Sequence, residues 1–228
     1  MKKYLFCLPI LLFIMLILFS LSTPILPVWT KADQSLPVQV VIDVGHGGED
    51  PGKIGINQAL EKDINLAIGL YLKKYLISAG YSAVMTRESD ASLADVSAPN
   101  QKLSDLKNRV SFIENLAPSL VVSIHQNSYT DKSIQGSQVF HSESSESKSL
   151  ALGLQEQLKR LLDPFNHRQI KENTNYYLFR HVTCPIVIVE CGFLSNYKEA
   201  NLLITEDYQQ KTAWALYMGI SQFLKSIE

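Results

Sequence analysis

The stretch VQVVIDVGHGG, residues 38–48, decides the fold class of this chain. Its β-branched run, residues 38–43, is typical of a buried strand, and the glycines that follow surround His46. From residue 60 to Gly80 apolar residues recur at helical spacing, and residues 81–86 return to a strand pattern. Strands that alternate with helices in this way predict an α/β sandwich with a largely parallel central sheet.

The rest of the chain continues the alternation. Strands are predicted at residues 120–124, at 136–141 (as an edge strand), at 176–182 and at 186–190. Helices are predicted from residue 103 to near Pro118, over 148–162 and at the C-terminus, where Trp214 lies on the apolar face. No internal repeat is visible, so residues 38–228 are predicted to form one domain.

The N-terminus carries a hydrophobic segment. Lys2 and Lys3 precede residues 4–30, which contain no charge, and residues 5–21 are close to the length that a helix needs to cross ~30 Å of hydrocarbon. An uncleaved membrane anchor is favoured, and a cleaved signal peptide is the alternative. By either route the positive-inside rule exports the domain, membrane-anchored or secreted. The predicted organisation is an anchor or signal at residues 1–22, a linker at 23–37 and the domain at 38–228.

Charge and cysteine content exclude two classes of protein. The 228 residues have a formal net charge of −1, and no basic cluster offers a footprint for nucleic acid. Cys184 and Cys191 flank an apolar stretch; if it is a strand, they lie about 23 Å apart, too far for a disulfide. The domain is therefore expected to fold without a disulfide framework.

Four residues are candidates for chemistry. His46, His125 and Glu190 each lie at or just after the end of a predicted strand, and the carboxyl ends of strands in an open α/β sheet share one ligand-binding edge. Glu61 lies in the first turn of the helix that starts at that edge. Two imidazoles and one carboxylate make a three-ligand zinc site with a position open for water, so Zn2+ is predicted on His46, Glu61 and His125. Glu190 is then the candidate general base for metal-assisted amide hydrolysis.

Two other chemistries are disfavoured. Cys191 could be proposed as a nucleophile, but strand alternation points it away from the face of Glu190, and no nucleophile motif is present. The glycines around His46 could cradle a phosphate, yet neither nucleotide-binding glycine pattern occurs.

Several motifs, in order along the chain, closely resemble the zinc-dependent N-acetylmuramoyl-L-alanine amidases of the Amidase_3 type. They are IDVGHGGEDPGKIG (42–55), EKDINLA (61–67), MTRESD (85–90), LKNRV (106–110), VVSIHQNS (121–128) and IVECGFLSN (188–196). The resemblance implies a three-layer α/β/α sandwich with a mixed, mostly parallel sheet of about six strands. The hydrophobic segment described above is expected to precede it as an N-terminal helix. It implies zinc on His46, Glu61 and His125, a catalytic Glu190, and peptidoglycan, with muramic acid amide-linked to L-alanine, as substrate. Gln126 and Ser128 stand where the family often has alanine, which is expected to change the polarity of the pocket.

The finer resemblance is to the sporulation and germination amidases of the CwlD type. These remove peptides from muramic acid in the spore cortex so that a deacetylase can lead to muramic-δ-lactam. It implies a functional link to a peptidoglycan deacetylase, room for an activating partner protein, and a forespore or cortex-facing location. The alternatives are a vegetative cell-wall autolysin, a related zinc exopeptidase acting on wall peptides, and an inactive wall-binding module.

Overall fold

The computed structural model describes residues 37–227, and its centre is a six-stranded sheet. The strand order is β2-β1-β3-β6-β4-β5. Neighbouring strands are parallel except for β4, which runs antiparallel to β6. The prediction of a mixed, mostly parallel sheet of six strands is confirmed. The strands are β1 (Val40–Val44), β2 (Ala83–Met85), β3 (Leu120–Asn127), β4 (Gln138–His141), β5 (Lys171–Glu172) and β6 (Ile186–Phe193).

Helices cover both faces of the sheet and complete the three layers. On one face α1, α3 and α6 pack on the larger core, which includes Ile42, Val122 and Val189. On the other face α2 and α4 cover the alternate positions Val41 and Val121. Alternation along each strand therefore divides the core into two layers. The helices are α1 (Glu61–Ser78), α2 (Gln101–Leu116), α3 (Ser145–Leu161), α4 (Tyr177–His181), α5 (Tyr197–Leu203) and α6 (Glu206–Ile227).

Some predicted elements differ from the structure. Residues 176–182 were predicted as a strand, which is wrong: Tyr177–His181 is a helix, and its buried Leu178 lies four residues before the buried Val182. The strand Gln138–His141 is not at the edge of the sheet, because the two-residue strand β5 pairs with its outer side. Strands β3 and β6 also run three residues beyond the predicted ends at residues 124 and 190.

The predicted anchor or signal segment at residues 1–22 and nearly all of the predicted linker at 23–37 lie outside the described residues. No helix within residues 37–227 combines the length and hydropathy needed to cross a bilayer. In the same range Cys184 and Cys191 are both free thiols.

Candidate metal centre

The structure brings the three predicted metal ligands together at one edge of the sheet. His46 lies in the loop after β1, Glu61 is the first residue of α1, and His125 lies within β3. One donor atom from each residue lies within 4.8 Å of the other two. Glu61 Oε1 is 3.2 Å from His46 Nε2 and 3.0 Å from His125 Nδ1. Among residues 37–227, these three residues form the one group of three or more His, Cys, Asp or Glu side chains whose donor atoms lie close enough together to bind a metal ion.

Two glycines allow the ligand side chains to approach the backbone. A Cβ atom added to Gly45 would lie 2.3 Å from His125 Cε1. Gly52 has a φ of +68°, and an added Cβ would lie 2.6 Å from Glu61 Oε2. His46 itself adopts a φ of 63°, a conformation that is uncommon for residues other than glycine. The local backbone is thus shaped around the imidazoles and the carboxylate.

Glu61 is held as an ionised carboxylate. Its Oε2 accepts a hydrogen bond from Lys53 N at 2.8 Å, and its Oε1 accepts one from Gln126 N at 3.0 Å. Burial alone would raise the pKa of Glu61, but hydrogen bonds from His125 and His46 lower it well below its usual range. A charged carboxylate between two imidazole nitrogens fits a small divalent cation.

Asp50 supports this fit. Its Oδ2 lies 2.8 Å from His46 Nδ1, and its Oδ1 accepts a hydrogen bond from Gly52 N at 3.0 Å. A carboxylate on one imidazole nitrogen orients the ring and leaves the other nitrogen free for a metal. Nε2 of His46 accordingly faces Glu61, at 3.2 Å from Oε1. The sequence interpretation did not assign a role to Asp50.

Glu190 lies beside the cluster in a different environment. It is paired with His125 in the register of β3 and β6, so the two side chains share one face of the sheet. Its buried Oε2 accepts no hydrogen bond from any of residues 37–227. Burial raises the pKa of Glu190 to about 7; His125 opposes this shift, and the charge of Glu61 adds to it. Glu190 is thus a carboxylate able to take up a proton near neutral pH.

Two cavities open on the cluster, with volumes of about 290 and 250 Å³. The larger one extends along the sheet face towards Ser123, Ile188 and Tyr176. The smaller one extends towards Lys53 and Ser128. An extended ligand therefore has room on two sides of the cluster. Both cavities are lined by His46, Asp50, Lys102, His125 and Glu190.

A buried ion pair beneath the cluster was also missed by the sequence interpretation. Arg109 Nη1 lies 2.7 Å from Asp43 Oδ1, and Ser123 Oγ donates to the other oxygen of that carboxylate. Arg109 further donates to the carbonyl oxygens of Val44 at 2.6 Å and His46 at 2.9 Å. Burial alone would raise the pKa of Asp43, but the charge of Arg109 brings it below its usual value. The available signal was Asp43 itself, a charge at the end of a buried strand that requires a partner.

The remaining candidates lie elsewhere. Cys191 packs in the core under α1, α3 and α6, on the face opposite Glu190, and burial raises the pKa of its thiol far above the ordinary value. The prediction that Cys191 points away from Glu190 is confirmed. Of the other three histidines, His141 is buried in β4, His167 precedes β5 and His181 ends α4. None of these three belongs to the cluster.

Known proteins share this fold and sequence. Residues 40–222 match the family model Amidase_3, N-acetylmuramoyl-L-alanine amidase. The germination-specific N-acetylmuramoyl-L-alanine amidase of Bacillus subtilis is 36% identical in an alignment of 196 residues that covers 83% of this chain and 82% of that protein. The structure of the CwlD amidase from Clostridioides difficile, in complex with the GerS lipoprotein, is 40% identical with a TM-score of 0.80, covering 83% of this chain and 99% of that one. The catalytic domain of CwlV, an amidase from Bacillus (Paenibacillus) polymyxa, is 33% identical with a TM-score of 0.69, covering 82% and 97%.

Proposed function

We propose a function for this chain from one established premise: the chain belongs to the Amidase_3 family of N-acetylmuramoyl-L-alanine amidases. In this proposal it hydrolyses the amide bond between N-acetylmuramic acid and L-alanine in peptidoglycan. The observation that carries the proposal is the convergence of His46, Glu61 and His125 in a cleft, with Glu190 beside them.

The proposal assigns one zinc ion to His46, Glu61 and His125. Two imidazole nitrogens and one carboxylate oxygen are the donor set of catalytic zinc sites, and the Asp50 carboxylate supports the His46 ring. Bound zinc would supply a Lewis acid that activates water and polarises the substrate carbonyl. Glu61 contributes the negative charge that offsets part of the charge of the cation.

Glu190 is proposed as the group that moves the proton. It takes a proton from the attacking water as the new C–O bond forms, and it delivers that proton to the L-alanine nitrogen as the C–N bond breaks. A pKa of about 7 suits both halves of this transfer near neutral pH. The two cavities on either side of the cluster give room for the muramic acid and the peptide that the scissile amide joins.

The proposed biological role is maturation of the spore cortex. The Bacillus subtilis relative is a germination-specific amidase, which supports a role in germination. Within that role we assign this chain the removal of peptides that precedes formation of muramic-δ-lactam by way of a peptidoglycan deacetylase. The Clostridioides difficile relative was solved in complex with a lipoprotein, which supports a protein partner for this chain; we assign that partner an activating role. We place residues 38–228 outside the membrane, facing the cortex, with residues 1–22 as anchor or signal and 23–37 as linker.

The chemistry is tested by mass spectrometry of muropeptides after incubation of peptidoglycan with the protein, with and without added zinc. Release of intact peptides from muramic acid is expected, and release of a terminal amino acid would indicate an exopeptidase instead. His46→Ala and His125→Ala should each lose zinc. Glu190→Gln should keep zinc and lose hydrolysis, because the amide cannot accept the proton. Near-normal turnover by Glu190→Gln would place the base elsewhere.

The biological role needs a separate test. Deletion of the gene in a spore-former should leave vegetative growth and division nearly normal. The cortex of the spores should contain no muramic-δ-lactam, and germination should be poor. Normal lactam content would refute the sporulation role and favour the vegetative alternative, while the amidase chemistry would stand.

A further inference from the structure

A chain of buried polar side chains connects the three segments that carry the proposed metal ligands. Its members are Arg87, which follows β2, Asn65 in α1 and Gln126 in β3. All three are buried, and none belongs to the donor cluster. Each one contacts the backbone or side chain of a segment other than its own.

Arg87 joins the His46 loop to the start of α1. Its guanidinium donates to the carbonyl oxygens of Val44 at 3.3 Å, Gly45 at 3.1 Å and Lys62 at 2.7 Å. It donates a fourth hydrogen bond to Ser89 O at 3.0 Å. Because a buried cation is costly unless its donors are satisfied, these four carbonyl groups must stay in place around it. Val44 and Gly45 directly precede His46, and Lys62 directly follows Glu61.

Asn65 and Gln126 extend this connection to the third ligand. Asn65 Nδ2 donates to Gly45 O at 3.1 Å, and Asn65 Oδ1 accepts from Gln126 Nε2 at 3.1 Å. The backbone N–H of Gln126 donates to Glu61 Oε1 at 3.0 Å. Gln126 directly follows His125. Gln126 also lines the smaller cavity, so its effect on the polarity of the pocket stays a prediction, while its Nε2 donates to Asn65 in the interior.

We infer that Arg87, Asn65 and Gln126 are positioning residues that set the distances between His46, Glu61 and His125 and so the metal affinity. The inference rests on the proposed zinc site. Gly45 O is the common point, since it accepts from both Arg87 and Asn65. Loss of one member leaves its partners bonded to fewer groups and lets one ligand segment shift relative to the other two. Partners outside the ligand set change metal affinity by about 10–100-fold when they are lost.

The test compares two buried glutamines in the full-length protein. Gln126→Met keeps the side-chain volume and removes the donor to Asn65. Gln155→Met is the matched control, because Gln155 is also buried and bonds Val139 N and Ser137 O, away from the ligand segments. Zinc affinity is measured by competition with a chromogenic chelator, and thermal unfolding is measured with excess chelator to report on the fold alone.

Gln126→Met should bind zinc about 10–100-fold more weakly than wild type, and Gln155→Met should stay within about threefold, although both unfold at lower temperature. Arg87→Lys keeps the charge but loses the planar guanidinium that donates to several carbonyl groups at once, so it should weaken zinc binding at least as much as Gln126→Met does. Unchanged zinc affinity in Gln126→Met, or an equal loss of affinity in both glutamine variants, would overturn the inference. If Arg87→Lys does not fold, the result for Gln126→Met alone is decisive. A wild-type protein that binds no zinc would overturn the proposed function itself.

Discussion

Replacement of Arg109 by methionine should cost more stability than any other single loss of an ion pair among residues 37–227. The side chains of Arg109 and Asp43 are each 2% exposed, and their closest atoms are 2.7 Å apart. Removal of one partner leaves a buried, uncompensated charge, which costs about 3–5 kcal/mol. For a domain of this size each kcal/mol lowers the midpoint of thermal unfolding by about 2–4 °C, so a decrease of roughly 6–20 °C is expected.

Urea denaturation of wild type and Arg109→Met measures this difference, with chelator present throughout so that metal release does not contribute. Lys73→Met is the control: Lys73 pairs with Glu88 on the surface, and loss of an exposed pair costs about 0–1 kcal/mol. Addition of Asp43→Asn to Arg109→Met should restore part of the loss, because it removes the unpaired charge. A loss below 1 kcal/mol in Arg109→Met would refute the reasoning.

The sign of the pH dependence follows from Asp43. In wild type the pKa of Asp43 is lowered, so its contribution to stability is present above the unfolded pKa of about 4 and is lost only as pH falls through the folded value. Without Arg109, burial instead raises that pKa, and the resulting penalty is relieved as pH falls through the raised value. The difference in free energy of unfolding between wild type and Arg109→Met should therefore become smaller from pH 7 to pH 5.

Three further predictions concern the metal centre. With chelator present, Glu190→Gln should be more stable than wild type at pH 8, by about 1–3 kcal/mol, but not at pH 5. The reason is that the pKa of Glu190 is raised, so its buried side chain is ionised, at a cost in stability, only at the higher pH. Urea denaturation that gives the same difference in unfolding free energy at both pH values would contradict this prediction. Gly45→Ala should lose most bound zinc, measured by elemental analysis, because the new Cβ would displace the His125 ring; Gly153→Ala, whose Cβ would have 3.8 Å to its nearest neighbour, should keep it. Chelation of zinc should abolish hydrolysis but leave a single cooperative thermal transition, since the two hydrophobic cores do not depend on metal ligands; chelator-induced unfolding would count against it.

The accuracy of the sequence-based prediction depended on the length and regularity of each element. Strands β1 and β3 each begin with three apolar residues, most of them β-branched, and α1 has apolar residues at helical spacing over several turns, so these elements were predicted. The helix α4 has only five residues and β5 only two, too few for a period to emerge. Tyr177–His181 is helical because it packs against the second core through Leu178, which is a tertiary effect.

The convergence of His46, Glu61, His125 and Glu190 at one edge of the sheet could be predicted, because the direction of a parallel strand fixes where its carboxyl end lies and the helix after β1 starts at that edge. The groups that hold them could not be placed in this way. Arg109 reaches Asp43 across 66 positions of sequence, and Arg87 reaches Val44 and Gly45 across 43 and 42 positions. The reach of a long side chain depends on how helices and loops pack, which no local pattern encodes. Asp50 is the exception, since its spacing of four residues from His46 is local.

The two glutamates of the centre show why residue type alone does not assign a role. Burial would raise the pKa of Glu61, but hydrogen bonds from His125 and His46 lower it, so this carboxylate stays ionised. Its oxygens also accept main-chain hydrogen bonds from Lys53 and Gln126. Glu190 has a buried oxygen without a partner among residues 37–227, and its pKa is raised to about 7. A metal ligand has to remain charged, whereas a proton carrier has to exchange its proton near the working pH. Where two carboxylates stand in environments that push their pKa values apart, the environments separate their functions. That separation supports Glu61 as the proposed ligand and Glu190 as the proposed base, and it would argue against the reverse assignment even if both were equally close to the metal.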